Sequence, residues 1–449
     1  MMRIAFLTTT FYGAILPILA YPFWGIVFFV WISIFRPEQL AWGETFGRLH
    51  LLVGIATFIS WLVNQRQSRH HGLSRVPIQV WLMLGLYAAS LVVTLLAVDP
   101  DVSWEFSTVI GKALLFGFLL SRLVDRPSRV QWYVRTVALA AGLLSLWAIF
   151  QYHAGNERLE NIGTALPDSN VFAITLVMLS PMVVHIARFD RGLWRLTGFA
   201  MTAFMLVAVI LSQSRSAFLS LAAVGVLLIL LARKRALALA AVGLAGLALI
   251  YSAPESWWER MHTITFEQQE MDGSAFNRLI LWEIGMRVFE ANPLTGVGLE
   301  GFSGAKEALA EEYRPLIDPV SHMMIFGRYR VVHNTYVNWL AEGGLVLFTP
   351  FLLFLLSGIL VPLPRPPEGA SREILAVWQA GRGIPIGILG FSVGAFFLNA
   401  NYNELFYWQV VLAGVVREVL KLALADAAEA AGEPAAPEEP AATPAPATA

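Results

Sequence analysis

The stretch GSAFNRLILWEIGMRVFEANPLTGVGLEGF (273–302), followed a little further on by VVHNTYVNWLAEGGLVLF (331–348), decides how this chain reads. Both lie in about a hundred residues, 251–348, of largely water-compatible sequence inside a chain that is otherwise strongly apolar. The second piece is polar at His333 and Asn334 and then apolar through residue 361, enough for a bilayer core that needs roughly 20 residues. A chain that keeps one long water-compatible loop, and sets Arg278 and His333 where that loop re-enters the bilayer, reads most simply as a membrane enzyme.

Composition agrees with a membrane chain. Hydrophobic residues make up 57% and charged ones 14%. Soluble domains carry about 25% charge, so a single water-soluble globule is excluded; mean hydropathy is +0.62. A net charge of −1 argues against a nucleic-acid partner. No cysteine is present, so neither disulfides nor thiolate chemistry are available. The first 35 residues lack the short apolar core and small-residue cleavage site of a signal peptide and read as a membrane anchor.

Working outward from the loop, the apolar stretches are 4–35, 49–63, 77–97, 105–121, 130–150, 168–187, 193–211, 216–232, 236–251, 334–361, 384–400 and 404–424, twelve candidate spans. The first is overlong and holds Pro17 and Pro22, so it is either one kinked helix or two short ones. The expected fold class is an all-α polytopic membrane protein of about twelve transmembrane helices with one long outer helical loop. Four regions follow: an N-terminal bundle (1–251), the loop (252–333), C-terminal spans (334–424) and an Ala/Pro/Glu tail (425–449) expected to be disordered.

Arginine and lysine fall on alternate connections. Arg66, Arg69 and Arg75 form one set, Arg122, Arg126 and Arg129 the next, then Arg188, Arg191 and Arg195, then Arg233, Lys234 and Arg235, then Arg365, Arg372 and Arg382. The connections between carry Asp99 and Asp101, Arg158 among acids, Ser212 to Arg215, the long loop, and Asn399 to Glu404. By the positive-inside bias, twelve spans put both termini in the cytoplasm and the loop outside.

Several polar residues then share the outer face: Asp168 and Asn170 at the start of span six, Arg215 between spans seven and eight, Arg278, His333, Asn334, and Asn401, Asn403 and Glu404. Lys112 lies inside span four, where charge is costly and marks function by default. Each also has a plainer account. Arg215 fits a headgroup contact, and His333 an orienting role at a helix start. Asp168 and Asn170 fit an N-cap, and Arg278 fits the solvated side of an amphipathic helix whose apolar residues are Phe276, Leu279, Ile280 and Ile284. Lys112 could snorkel, but its depth favours an inward, paired role.

Two motif matches carry little. Gly296 to Gly301 fits G-x-G-x-x-G with no βαβ unit before it. Asp99-Pro100-Asp101 resembles a metal-binding D-x-D, yet also suits a helix cap. His70-His71 falls on a basic, cytoplasmic connection, and no His/Asp/Glu cluster has metal-ligand spacing.

The SRSA segment opening a helix (214–217), NRLILWEIGMRVFEANPLTGVGLEGF (277–302) and HNTYVNWLAEGGLVLF (333–348) together resemble the O-antigen ligase and polymerase superfamily of bacterial envelopes. FRPEQLAWGETFGRLHLLVGIATFISWL (35–62) and VDPDVSWEFSTVIGKALLFGFLL (98–120) resemble a subgroup of O-glycosylation ligases associated with exosortase systems, so the likeness covers nearly all of 1–424. The resemblance implies a GT-C-like, metal-independent, inverting glycosyltransferase of the bacterial inner membrane, without cofactor. It would move a glycan from an undecaprenyl-diphosphate carrier to an acceptor lipid, polysaccharide or protein at the periplasmic face. By motif, His333 would match the catalytic histidine, and Arg215 and Arg278 the diphosphate-binding arginines. Lys112, Asp168, Asn170 and Asn334 are expected around the substrate.

The chemistry fits these residue types. A leaving diphosphate gains negative charge that planar guanidinium groups hold well, and an imidazole titrating near neutral pH suits the base for the acceptor hydroxyl. A polymerase on the same fold is the rival enzyme. A lipid-linked glycan transporter ranks third, because paired midplane charges and internal repeats are missing from the sequence.

Overall fold

The computed structural model describes residues 2–35, 49–69, 75–156, 159–160, 162, 168–232, 234–251, 255, 257–258, 273–327 and 330–430. His70-His71, Arg158, Arg233, most of 252–272 and the tail beyond residue 430 lie outside them. The described residues form helices and turns, with no strand among them.

The N-terminal bundle consists of α1 (Met2–Ala20), α2 (Pro22–Phe35), α3 (Leu49–Val63), α4 (Ile78–Leu95), α5 (Pro100–Leu123), α6 (Pro127–His153), α7 (Ser169–Phe189), α8 (Gly192–Leu211), α9 (Arg215–Leu230) and α10 (Arg235–Tyr251). The loop carries α11 (Gly273–Ala291), short turns over 302–313 and α12 (Pro319–Phe326). The last helices are α13 (Thr335–Ile359), α14 (Arg372–Gly394) and α15 (Glu404–Ala430).

Among the described residues seven helices, α4 to α8, α13 and α14, are long and apolar enough to cross a membrane. Shorter apolar helices stand at 22–35, 49–63 and 215–230. The overlong first stretch is two helices, because Pro22 has no N–H to continue the ladder beyond Tyr21. Two boundaries differ from expectation. The span expected at 384–400 begins at Arg372: Arg382 lies within the helix, sets its guanidinium over Trp378 and donates to the Leu231 carbonyl at 3.2 Å. The last helix runs on to Ala430, past the point where the tail was expected to begin, through an alanine-rich stretch of high helix propensity.

The tightest crossing joins α7 and α14. Gly383, Gly387, Gly390 and Gly394 form a stripe at helical spacing, and a Cβ on Gly387 would stand 2.0 Å from the Met178 carbonyl oxygen. Small residues let membrane helices approach to backbone contact, where packing, not hydrophobicity, holds them.

The two ends of the bundle differ in chemistry. At one, the basic connections bond to each other's backbone. Ser68 Oγ donates to the Arg122 carbonyl at 2.7 Å, Arg129 Nη2 reaches the Gln67 carbonyl at 3.3 Å, and Arg372 Nη2 reaches the Asp190 carbonyl at 3.2 Å. At the other, Val98 N–H donates to Val297 O at 3.1 Å and Asn403 Nδ2 to Thr175 Oγ1 at 2.8 Å. The site forms at this second end.

Candidate functional site

The described part of the loop from residue 273 onward folds into a small packed cap. Ile280, Leu281, Ile284 and Val288 of α11 bury against Val297, Phe302, Tyr313, Ile325, Val332 and Ala341, a core separate from that of the bundle. Leu279, expected on the buried face, is 43% exposed. Arg278 and Trp282 stand one turn apart on α11, and Trp282 Nε1 donates to the His333 carbonyl at 3.3 Å, so the helix that carries Arg278 also holds the backbone of His333.

A backbone crossing fixes the cap to α13. The helix breaks at Gly344, and the segment after α11 bonds into the break. Val297 N–H donates to Ala341 O at 3.1 Å, Gly298 N–H to Glu342 O at 2.9 Å, Leu345 N–H to Pro293 O at 2.9 Å and Val346 N–H to Leu294 O at 3.0 Å. Gly296 has φ 62, and a Cβ there would lie 2.3 Å from the Glu342 carbonyl carbon. The buried Glu342 side chain accepts Asn338 Nδ2 at 2.9 Å. The Gly296–Gly301 motif is therefore part of a joint between two segments. Asp99 is the N-cap of α5, accepting from Val102 N–H at 3.2 Å.

His333 occupies the turn between cap and helix. Its φ is 55, in the left-handed region that few side chains adopt. Fully buried Val332 precedes it, and Asn334 follows as the N-cap of α13, accepting from the N–H groups of Tyr336 and Val337. Asn334 N–H donates to Asn399 Oδ1 at 3.2 Å, and Thr335 Oγ1 to the Leu398 carbonyl at 2.8 Å. The backbone of the turn is thus fixed on both sides.

Burial first, then Arg278, lowers the His333 pKa to about 4; Asp168 opposes this and Arg330 adds to it. The charges of Arg278, Asp168 and Arg330 thus act on His333. The expectation of an imidazole titrating near neutral pH is corrected, because a half-buried ring among cations resists a second positive charge. It stays neutral at pH 7, the state a proton acceptor needs. An anion placed among the arginines would raise its basicity.

The sign of the pH effect follows. If His333 is the base of a transfer reaction, a folded value lowered from the ordinary 6.5 to about 4 places the acid limb of kcat/KM below pH 6.5. The limb of kcat, measured with the donor bound, should lie higher than that of kcat/KM. Parallel pH profiles check this; two limbs together at 6.5 would contradict it.

The other expected residues divide. Asp168 caps α7, accepting from the N–H groups of Asn170 and Val171 at 2.7 and 3.0 Å, so it has a structural role as well as a charge facing His333. Asn170 lies half-buried on the first turn of that helix. Arg215 opens α9 after the Ser214 cap, half-buried. Lys112 is exposed on α5, off the buried stripe of Ser107, Ile110, Ala113 and Phe116, which corrects its expected inward, paired placement. Among the described residues no group of three or more His, Asp or Glu is placed to hold a metal ion. Arg330, Trp282 and Glu342 went unnoticed in the sequence; only the nearness of Arg330 to His333 could have drawn attention to it.

Residues 200–352 match the O-antigen ligase family. That interval holds Arg215, Arg278, His333 and the whole joint between cap and α13. Residues 1–190 match a family of unknown function (DUF5935). No curated protein matches the chain. The family match supports the O-antigen ligase superfamily and a function of O-antigen ligase or polymerase type.

Proposed function

We propose that the protein is a glycosyltransferase of the O-antigen ligase type, passing a glycan from an undecaprenyl-diphosphate carrier to an acceptor hydroxyl. The observation that carries this reading is His333 at the turn where the loop meets α13, its backbone held by Trp282 of the helix that carries Arg278 and its pKa lowered by burial and then by Arg278. In the reaction the acceptor oxygen attacks the anomeric carbon from the face opposite the diphosphate. The C1–O bond to phosphate breaks, the hydroxyl proton passes to His333, and the bonding electrons leave on the diphosphate. Arg278, Arg330 and Arg215 lie at the same end of the bundle to hold that charge, and inversion at C1 follows from the single displacement. The wider topology belongs to the proposal too: twelve spans in a bacterial inner membrane, the basic end cytoplasmic, and the site periplasmic. The motifs of the first 120 residues favour the O-glycosylation ligase subgroup.

Arg278 provides the test. A lysine keeps the charge but not the two-pronged fork that matches a phosphate. Arg278→Lys should lower transfer, and Arg278→Gln should lower kcat by roughly 100-fold or more, the usual cost of removing one charge-stabilising donor. Steady-state kinetics on purified carrier-linked glycan would decide it; a glutamine variant with wild-type kcat and KM would remove Arg278 from the site.

A further inference from the structure

Lys306 lies in the cap, on the turn Lys306–Leu309, with its side chain fully buried. Its Nζ donates to the carbonyls of Ile325 at 3.0 Å, Gly327 at 2.9 Å and Arg330 at 3.1 Å. An ammonium has three N–H groups and no acceptor. All three are used, and all three partners come from one stretch of six residues. No carboxylate pairs with Lys306 among the described residues. Burying a charge without a counter-ion is costly, so what it holds is a guide to its role.

Two of the carbonyls close the end of α12, where a cation is favoured by the helix dipole. The third belongs to Arg330, three residues before His333. On the far side the His333 turn is fixed by Asn334 and Thr335, and from above by Trp282. Lys306 fixes the near side.

We propose that Lys306 is a positioning residue for the His333 site. Its ammonium ties together the carbonyls of Ile325, Gly327 and Arg330 and so sets where Arg330 and His333 stand relative to Arg278. This rests on the reading of His333 as the base. The partner of Lys306 is backbone, so a residue of similar length without donors leaves three buried carbonyls unsatisfied and frees the segment.

The test uses Lys306→Met and Lys306→Ala in the full-length protein in detergent, with two readouts. Hydrogen exchange should quicken at the amides of 325–333 in the methionine variant while the membrane helices keep their protection. Transfer kcat should fall at least tenfold, with a smaller change in donor KM. Propylammonium should restore part of the rate to Lys306→Ala, whose cavity can admit it, and none to Lys306→Met. Unchanged exchange, a wild-type kcat, or no rescue of the alanine variant would overturn the proposal. If the methionine variant fails to fold, amine rescue of Lys306→Ala decides alone. His333→Asn is assayed beside them: full activity there defeats the reading of His333, whereas an inactive His333→Asn with an active Lys306→Met defeats only this proposal.

Discussion

His333→Asn loses transfer, by roughly 100- to 10,000-fold, the contribution of a positioned acid–base group, while the protein stays folded. Asparagine is the informative replacement because of the backbone. With φ at 55 the residue stands in the left-handed region, which asparagine visits readily. Alanine there costs roughly 1–2 kcal/mol, so lost activity would be mixed with lost structure. The asparagine amide cannot accept a proton at neutral pH. Trp282 and Asn399 bond to the backbone at this turn, and the substitution leaves those bonds intact. Transfer rate and thermal unfolding, measured on the same preparation, check the two halves of the statement. A variant within tenfold of wild type would exclude His333 as the base.

Gly344→Ala has the largest expected effect on stability, about 4 kcal/mol or more, a loss that calls for a backbone collision or its like. Its φ of 56 and ψ of −159 lie where glycine alone is comfortable. A Cβ would stand 2.4 Å from the carbonyl carbon and oxygen of Leu294 and 2.6 Å from Thr295 N. Those are backbone atoms. They cannot retreat without breaking the Leu345–Pro293 and Val346–Leu294 hydrogen bonds that hold the cap on α13. The cap should become accessible to protease over 273–327, and transfer should fall with it. Gly243→Ala on α10, where a Cβ meets nothing within 4 Å, is the control and should be neutral or slightly stabilising. Equal behaviour of the two variants would mean that the joint does not hold the cap.

Much of the frame was legible in the sequence because membrane helices announce themselves by length and apolarity. The helices from Ile78 to Leu211 and the one from Thr335 carry that signal clearly. Legibility failed where a charge or a proline sits inside a helix. Arg382 concealed the first turns of α14, since a cation at a helix edge looks the same in sequence as one in a loop. Lys112 was misplaced for a related reason: an apolar run gives depth, while the face a side chain takes depends on the neighbouring helices.

The site was legible as residue types and not as an arrangement. Arg278 and His333 stood out as polar groups at the point of re-entry, and the Arg278 charge acts on the His333 ring. Lys306 and Arg330 did not stand out, because the carbonyls that Lys306 binds and the charge effect of Arg330 on His333 arise only in three dimensions. The basicity of His333 was misjudged on the same ground, since burial and neighbouring guanidinium groups act through space.

The most direct measurement follows the glycan itself. Purified protein in liposomes receives radiolabelled glycan on undecaprenyl diphosphate together with separated envelope lipids, polysaccharides and proteins, with His333→Asn alongside. The account predicts that label leaves the carrier for one acceptor class, with release of undecaprenyl diphosphate, in the wild type alone. Label that stays on the carrier, whether in longer chains or moved unchanged to the other leaflet, would contradict it.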